Sequence, residues 1–364
     1  MSVKSPQISV VMAVYDGLPN VGKAIRSVLD QTFKDFEFII INDGSKDGSK
    51  KVLEDFKKKD SRIRTIHQKN KGLAAALNNG ICHARGDYIA RMDDDDICLA
   101  QRFERQVNYL EGHPKIDLLS TPIKFIDENG NKTGDSWQLP TSPSLVKWSL
   151  FFGSCISHPS VMMRRTPVLE VGGYDEKMRV GQDYNLWARM VTNGYELDNL
   201  SEPLLLARRW TGSTTVRSHE QQRDNGKKTA YPLHENYIGQ NASRELISWL
   251  FDLRHGGVSY LTEEHDLEKQ GYYRLREYIR TLRTSFLAHE NLSPEEEQRI
   301  NQDAIVRQQK VAAGIRKVSP LEGEFLRVKD HATLRPLRML RRALEKMKNL
   351  LRGLFGLGAG LPLA

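Results

Sequence analysis

Four short apolar runs in the first 92 residues, each closed by a polar turn, constrain this chain more than any other feature. They are Ile8 to Val14, Phe36 to Ile41, Ile63 to His67 and Tyr88 to Met92. All are too short for buried helices, and the first three are rich in β-branched residues, as buried strands are. Between them lie helix-like stretches. Val21 to Leu29 has Val21, Ile25, Val28 and Leu29 at helical spacing behind Asn20 as N-cap, and Ser49 to Phe56 and the alanine-rich Leu73 to Ala84 follow. Ile97 to Leu110 reads as a further helix. Strands alternating with helices imply βαβ units and an α/β fold with a mostly parallel sheet.

In such sheets ligands bind beyond the carboxyl ends of the strands, and the polar turns fall there. Tyr15-Asp16-Gly17 follows the first strand, Asn42-Asp43-Gly44-Ser45 the second, and Asp93-Asp94-Asp95-Asp96 the fourth. Taken singly, Asp43 and Ser45 equally suit a helix cap, and Tyr15 an ordinary surface aromatic. The acid run says more. Four carboxylates gathered at one strand end repel each other, and a hard divalent cation bridging to phosphates would offset that charge. Neither GxGxxG nor GxxxxGK[ST] occurs, which excludes the usual dinucleotide and P-loop phosphate cradles.

With 364 residues, 39% of them hydrophobic and 27% charged, the chain suits a soluble globular protein of two or three units. No stretch approaches the roughly 20 apolar residues of a spanning helix, and the N-terminus has no secretory h-region. Cys82, Cys98 and Cys155 form no CxxC pair, as expected of a cytosolic protein. The net charge of +8 is concentrated. Seven basic residues between Leu334 and Arg352, against the single acid Glu345, account for six of the eight charges. A general nucleic-acid surface is therefore not implied, whereas a local basic device is.

The blocks ISVVMAVYDG, FIIINDGSKDGS and NKGLAAALNNGICHARGDYIARMDDDD resemble family 2 glycosyltransferases of the GT-A fold. Further on, SHPSVMMRR, VGGYDE, GQDYNLWARM and RRWTGST match the same family in order, so the resemblance covers roughly residues 7 to 215. It implies a Rossmann-like, mostly parallel sheet flanked by helices. It also implies inverting transfer of a sugar from a nucleotide donor, usually a UDP-sugar, with Mn²⁺ or Mg²⁺. Carried over by position, Tyr15 would lie against the uracil and Asp43 would accept from its N–H. Asn70, Gly72 and Asn78 would help hold the nucleotide, with Arg91 near the diphosphate and Asp94 beside the nucleotide-sugar. Asp93 and Asp95 would be the acids of the DxD motif, Asp95 on the metal and Asp93 towards the ribose and within reach of the metal. Asp183 would be the catalytic base, on a helix supported by Trp187 and Arg189.

Two positions depart from the family pattern. Gln182 stands before Asp183 where a Glu is usual, and Thr211 stands where a His often contacts metal or phosphate, with His219 as a nearby substitute ligand. Residues 1–215 read as the transferase domain and 216–332 as a helical extension that packs on it or forms a dimer. Helices are expected over 245–253, 272–287 and 294–311, the last opened by Ser293, Pro294 and Glu296 as a capping box. In the tail, 333–364, one leucine-rich stripe with basic residues on its other faces reads as a helix lying on an anionic membrane. The expected activity is transfer to a lipid-linked oligosaccharide at the inner membrane face, in surface-polysaccharide synthesis. A nucleotidyltransferase would share the acidic metal site but release pyrophosphate. A non-catalytic membrane scaffold would leave the ordered acid clusters unexplained.

Overall fold

The computed structural model describes residues 5–136, 138–209, 218–253 and 269–318. They fall into two compact units that divide at Asn236/Tyr237. The first opens with β1 (Ile8–Val14), α1 (Val21–Leu29), β2 (Phe36–Asn42), α2 (Ser49–Lys59), β3 (Ile63–His67), α3 (Leu73–His83) and β4 (Tyr88–Met92). β5 (Ile97–Cys98), α4 (Arg102–Gly112), β6 (Ile116–Ser120), β7 (Ile123–Ile126), β8 (Lys132–Ser136) and α5 (Pro143–Leu150) follow. β9 (Met162–Arg164), α6 (Arg165–Glu170), α7 (Gln182–Thr192), β10 (Glu196–Asn199), β11 (Leu205–Arg208) and α8 (His219–Ile238) complete the series.

Seven strands form the central sheet in the order β10-β6-β9-β4-β1-β2-β3. β1 pairs parallel to both β2 and β4, and β9 alone runs antiparallel, between β4 and β6. The apolar runs of β1, β2 and β4 are buried along both faces, as a parallel sheet covered by helices requires: Val10, Val11, Phe38, Ile39, Ile40 and Ile89 are all closed to solvent. α1 turns Val21, Ala24, Ile25 and Val28 onto this core. Asn20 precedes α1 but already has helical backbone angles (φ −95°, ψ −24°) and makes no side-chain cap bond; its carbonyl accepts from the Lys23 and Ala24 N–H groups.

A second, four-stranded sheet has the order β5-β11-β7-β8. It overturns part of the expected helix 97–110. Ile97 and Cys98 pair with Leu206 and Leu205 as a short strand, and the Leu99 N–H goes to the Leu204 carbonyl, so the helix starts at Arg102.

The expected boundary at 215/216 also moves. α8 is tied into the first unit, with Asn225 Nδ2 donating to the Val180 carbonyl (2.9 Å) and His234 Nε2 bonded to the Phe151 carbonyl (2.9 Å). The second unit is helical, over 244–253, Lys269–His289 and Pro294–Val318. It buries Leu250, Tyr272, Leu275, Leu282, Phe286 and Ile300. The capping box forms: Ser293 Oγ accepts from the Glu296 N–H and Glu296 Oε2 from the Ser293 N–H. Among the described residues no helix is long and apolar enough to cross a membrane. The tail read as a membrane-surface helix, Thr211 and the side chain of His219 lie outside the described residues.

Candidate active site

Parallel pairing brings the ends of β1, β2 and β4 to one edge, so the three polar turns meet there. The Asp43 N–H donates to the Val14 carbonyl (2.8 Å), which locks the first two turns together just before Tyr15. Tyr15 stands 51% exposed, its ring offered to solvent at this edge. Asp16 takes a left-handed conformation (φ 52°), and its carboxylate accepts from the Lys46 N–H at 2.7 Å.

Asp43 is buried and already busy. Gln68 Nε2 (2.7 Å), the Lys71 N–H (2.9 Å) and the Gly72 N–H (2.8 Å) all donate to it. A carboxylate has about four acceptor positions, so about one is left. The same bonds wrap the exposed loop carrying Asn70 around Asp43, and Gly72 sits in it at φ +91°.

Asn78, one helical turn into α3, faces a different partner. Its Nδ2 donates to the Tyr174 carbonyl (2.8 Å) and Glu176 Oε1 (3.0 Å), and its Oδ1 accepts from the Tyr174 N–H (2.8 Å).

The acid run is held from both ends by buried arginines. Arg102 donates to the carbonyls of Arg91 (2.8 Å) and Val161 (3.1 Å). Arg208, at the end of β11, donates from Nε to the Asp95 carbonyl (3.0 Å) and from Nη1 to those of Asp127 and Glu128. Its N–H reaches Asp96 Oδ1 at 2.9 Å. Arg91 and Asp93 close on each other as a bidentate ion pair, with Arg91 buried. No side chain among the described residues donates to Asp94 or Asp95.

The electrostatics follow from that imbalance. Burial, then the charges of Asp95 and Asp93, pushes Asp94 up to about 8. Burial, then Asp93, pushes Asp95 up to about 6. Burial and the same neighbours hold Asp96 well above the usual carboxylate range. Such a cluster fits a divalent cation, which would relieve the repulsion. Among the described residues no three His, Cys, Asp or Glu side chains gather around one point. Asp93 and Asp95 could each supply an oxygen ligand to a hard ion, whose other positions would be taken by phosphate and water oxygens.

Asp183 opens the first turn of α7, behind Gly181 in the left-handed region (φ 73°), where the helix N-terminus favours a negative charge. Burial raises its pKa; the Tyr184 N–H and the nearby Arg91 guanidinium act the other way, and Asp93 adds to the rise. Asp183 and the Arg91–Asp93 pair are thus electrostatic neighbours. His158 Nε2 lies 2.9 Å from the Tyr174 hydroxyl, and its ring packs edge-on to the fully buried Trp187. Burial and Arg91 hold His158 well below its ordinary pKa, so it is neutral. Arg189 ties α7 to the preceding turn through the carbonyls of Val171 and Gly173.

The structure therefore brings Tyr15, Asp43 and the acid run to one edge, with Asp183 within electrostatic reach of Arg91 and Asp93. Asn78 is bonded to the 173–176 turn. Sequence reading gave no role to Arg102 or Arg208. The signal for Arg208 was a charged residue closing the apolar Leu204-Leu205-Leu206-Ala207 run.

Residues 9–172 match the Glycosyl transferase family 2 profile. An uncharacterized glycosyltransferase of Methanocaldococcus jannaschii is 38% identical over 203 residues, 55% of this chain and 70% of that protein. The Escherichia coli UDP-Gal:alpha-D-GlcNAc-diphosphoundecaprenol beta-1,3-galactosyltransferase is 30% identical over 208 residues, 56% of this chain and 75% of that one. Among solved structures, Staphylococcus aureus TarS 1-349 in complex with UDP-GlcNAc superimposes with a TM-score of 0.52 at 15% identity. That match covers 98% of this chain and 94% of the other.

Proposed function

The chain belongs to glycosyl transferase family 2 and has the α/β GT-A fold, and on that premise we propose that this glycosyltransferase inverts the sugar it takes from a UDP-sugar donor. The observation that carries the reading is the meeting of three turns at one sheet edge, with Asp94 and Asp95 accepting from no side chain among the described residues and Asp183 within electrostatic reach of Arg91 and Asp93.

Tyr15 gives the uracil a face, and Asp43 offers its remaining acceptor position to the uracil N–H. The loop of Asn70 and Gly72 borders the base. Arg91, Asp93 and Asp94 frame the ribose and diphosphate. Asp95, with Asp93 beside it, would hold Mn²⁺ or Mg²⁺, which when bound stabilises negative charge on the departing diphosphate. Asp183 takes the proton from the attacking acceptor hydroxyl, on the opposite face of the sugar. One base and no covalent nucleophile give a single displacement, hence inversion.

The acceptor is proposed to be a lipid-linked oligosaccharide of surface-polysaccharide synthesis. One of the relatives acts on a diphosphoundecaprenol-linked sugar, and the leucine-striped basic tail suits an anionic membrane face. On this reading the enzyme works in the cytoplasm, peripheral to the inner side of the membrane. Family membership leaves the nucleotidyltransferase and scaffold readings without support.

Thermal unfolding with UDP, GDP, CMP and dTDP, with and without Mn²⁺, tests the donor and metal together. A ligand at 100 times its dissociation constant stabilises the fold by about 2.7 kcal/mol. A Mn²⁺-dependent shift with UDP that vanishes in Asp95→Ala supports the reading; a shift with GDP or dTDP alone discards the uridine donor.

A further inference from the structure

We propose that Asn78 is a positioning residue that ties the nucleotide-bearing helix α3 to the turn leading into the base helix α7, and that it does not touch the nucleotide. The proposal rests on the reading of Asp183 as the base. A primary amide has two N–H donors, and both are spent here, on the Tyr174 carbonyl (2.8 Å) and on Glu176 Oε1 (3.0 Å). The amide oxygen accepts from the Tyr174 N–H (2.8 Å), so the side chain pairs with that residue as a neighbouring strand would.

The contact is close enough to dictate the sequence across from it. A Cβ at Gly173 would lie 2.6 Å from Asn78 Oδ1, and Gly173 has φ +66°. Both facts favour glycine there.

From this turn two links reach α7. Arg189 forks onto the carbonyls of Val171 and Gly173 while its Nε donates to Asn185 (2.8 Å). The Tyr174 hydroxyl meets His158, whose ring rests against Trp187. Asp183 rides on the same helix.

At its other end α3 begins beside Gly72, whose N–H holds Asp43. Asn78 lies six residue steps beyond Gly72, about 9 Å along the helix at 1.5 Å per step. α3 thus acts as a strut with the nucleotide cradle at one end and the turn leading into the base helix along its length. A displacement near 1 Å of a reacting group can cost about 10²-fold in rate, so loss of the tie should appear in turnover and not in nucleotide affinity.

Asn78→Ala removes the tie, and Asn78→Asp keeps the acceptor for the Tyr174 N–H but removes both donors. The readouts are calorimetric affinity for UDP with Mn²⁺, backbone hydrogen exchange across 171–178, and steady-state release of UDP from UDP-galactose and UDP-N-acetylglucosamine. Expected in Asn78→Ala are UDP affinity within twofold of wild type, exchange at least tenfold faster, and kcat at least tenfold lower at unchanged donor KM. Asn78→Asp should be impaired at least as much as Asn78→Ala, because its carboxylate would face the Tyr174 carbonyl and the Glu176 carboxylate. A tenfold loss of UDP affinity with native exchange would make Asn78 a nucleotide ligand and overturn the proposal. Native exchange or native kcat in Asn78→Ala overturns it too. Asp183→Asn is run in parallel: native turnover there refutes the base assignment alone. If wild type turns over neither sugar, exchange and UDP affinity still decide.

Discussion

Gly17 and Asp94 meet across the ends of β1 and β4 so closely that a Cβ added at Gly17 would fall 2.5 Å from Asp94 Oδ2. The atom in the way is the tip of a side chain, which can swing aside. Gly17→Ala should therefore keep the fold, moving the unfolding temperature by only a few degrees. Turning Asp94 out of place should weaken UDP–Mn²⁺ binding about tenfold, roughly 1.4 kcal/mol. Calorimetry beside a melting curve separates the two effects, and undiminished affinity would remove Asp94 from the donor site.

Asp183→Asn should retain UDP binding and lose about 10²- to 10⁴-fold in kcat, the usual contribution of a general base. Burial raises the pKa of Asp183 above 3.8, and the base works only when deprotonated. Turnover in the wild type should thus fall as pH drops through a value above that of an ordinary aspartate. A kcat–pH profile measured at saturating donor checks both the limb and its loss in the variant.

At the opposite end of the sheet, Glu37 is a buried carboxylate bonded by Ser9, Arg64 and Arg85. Burial pushes its pKa up, but the bonds from Arg85, Ser9 and Arg64 outweigh it and hold the group below 4.5. A carboxylate depressed in the fold adds stability above its unfolded pKa, and that stability disappears as pH falls through the folded value. Glu37→Gln should cost about 2 kcal/mol at neutral pH, allowing for the partial exposure of both arginines. The gap from wild type should narrow below about pH 4.5, read by urea unfolding at several pH values.

Removing residues 333–364 deletes the basic, leucine-striped tail. Each Lys or Arg near an anionic surface is worth about 1 kcal/mol at low salt. Sedimentation with phosphatidylglycerol vesicles should show at least a tenfold drop in binding, while UDP affinity is untouched. Equal vesicle binding by the truncated protein would place the membrane contact elsewhere.

β1, β2 and β4 were legible in the sequence because each is buried on both faces and ends in a polar turn, so composition and punctuation coincide, and the edge strand β3 was legible from its β-branched run alone. β5 was not. Ile97 and Cys98 are strand only because Leu205 and Leu206, more than a hundred residues later, lie alongside. Local helical spacing through Leu110 outweighed a partner that the sequence does not display. The candidate site divides in the same way. Tyr15, Asp43 and the acid run sit at strand ends that periodicity locates, whereas the partner of Asn78 is 96 residues away. Arg102 and Arg208 were hidden because an arginine spent on backbone carbonyls leaves no mark in the pattern of charges.

The antiparallel β9 has a bearing on how the polypeptide is made. Residues 8–92 supply four neighbouring strands, β3-β2-β1-β4, but the strand that closes the open side of β4 is Met162–Arg164. A nascent chain leaving the ribosome exposes the β4 edge, an unpaired row of N–H and C=O groups, until some seventy further residues have been synthesised. The nucleotide half can therefore fold early but stays adhesive along that side. Fragments ending before residue 162 should aggregate, and fragments that include β9 and β6 should not.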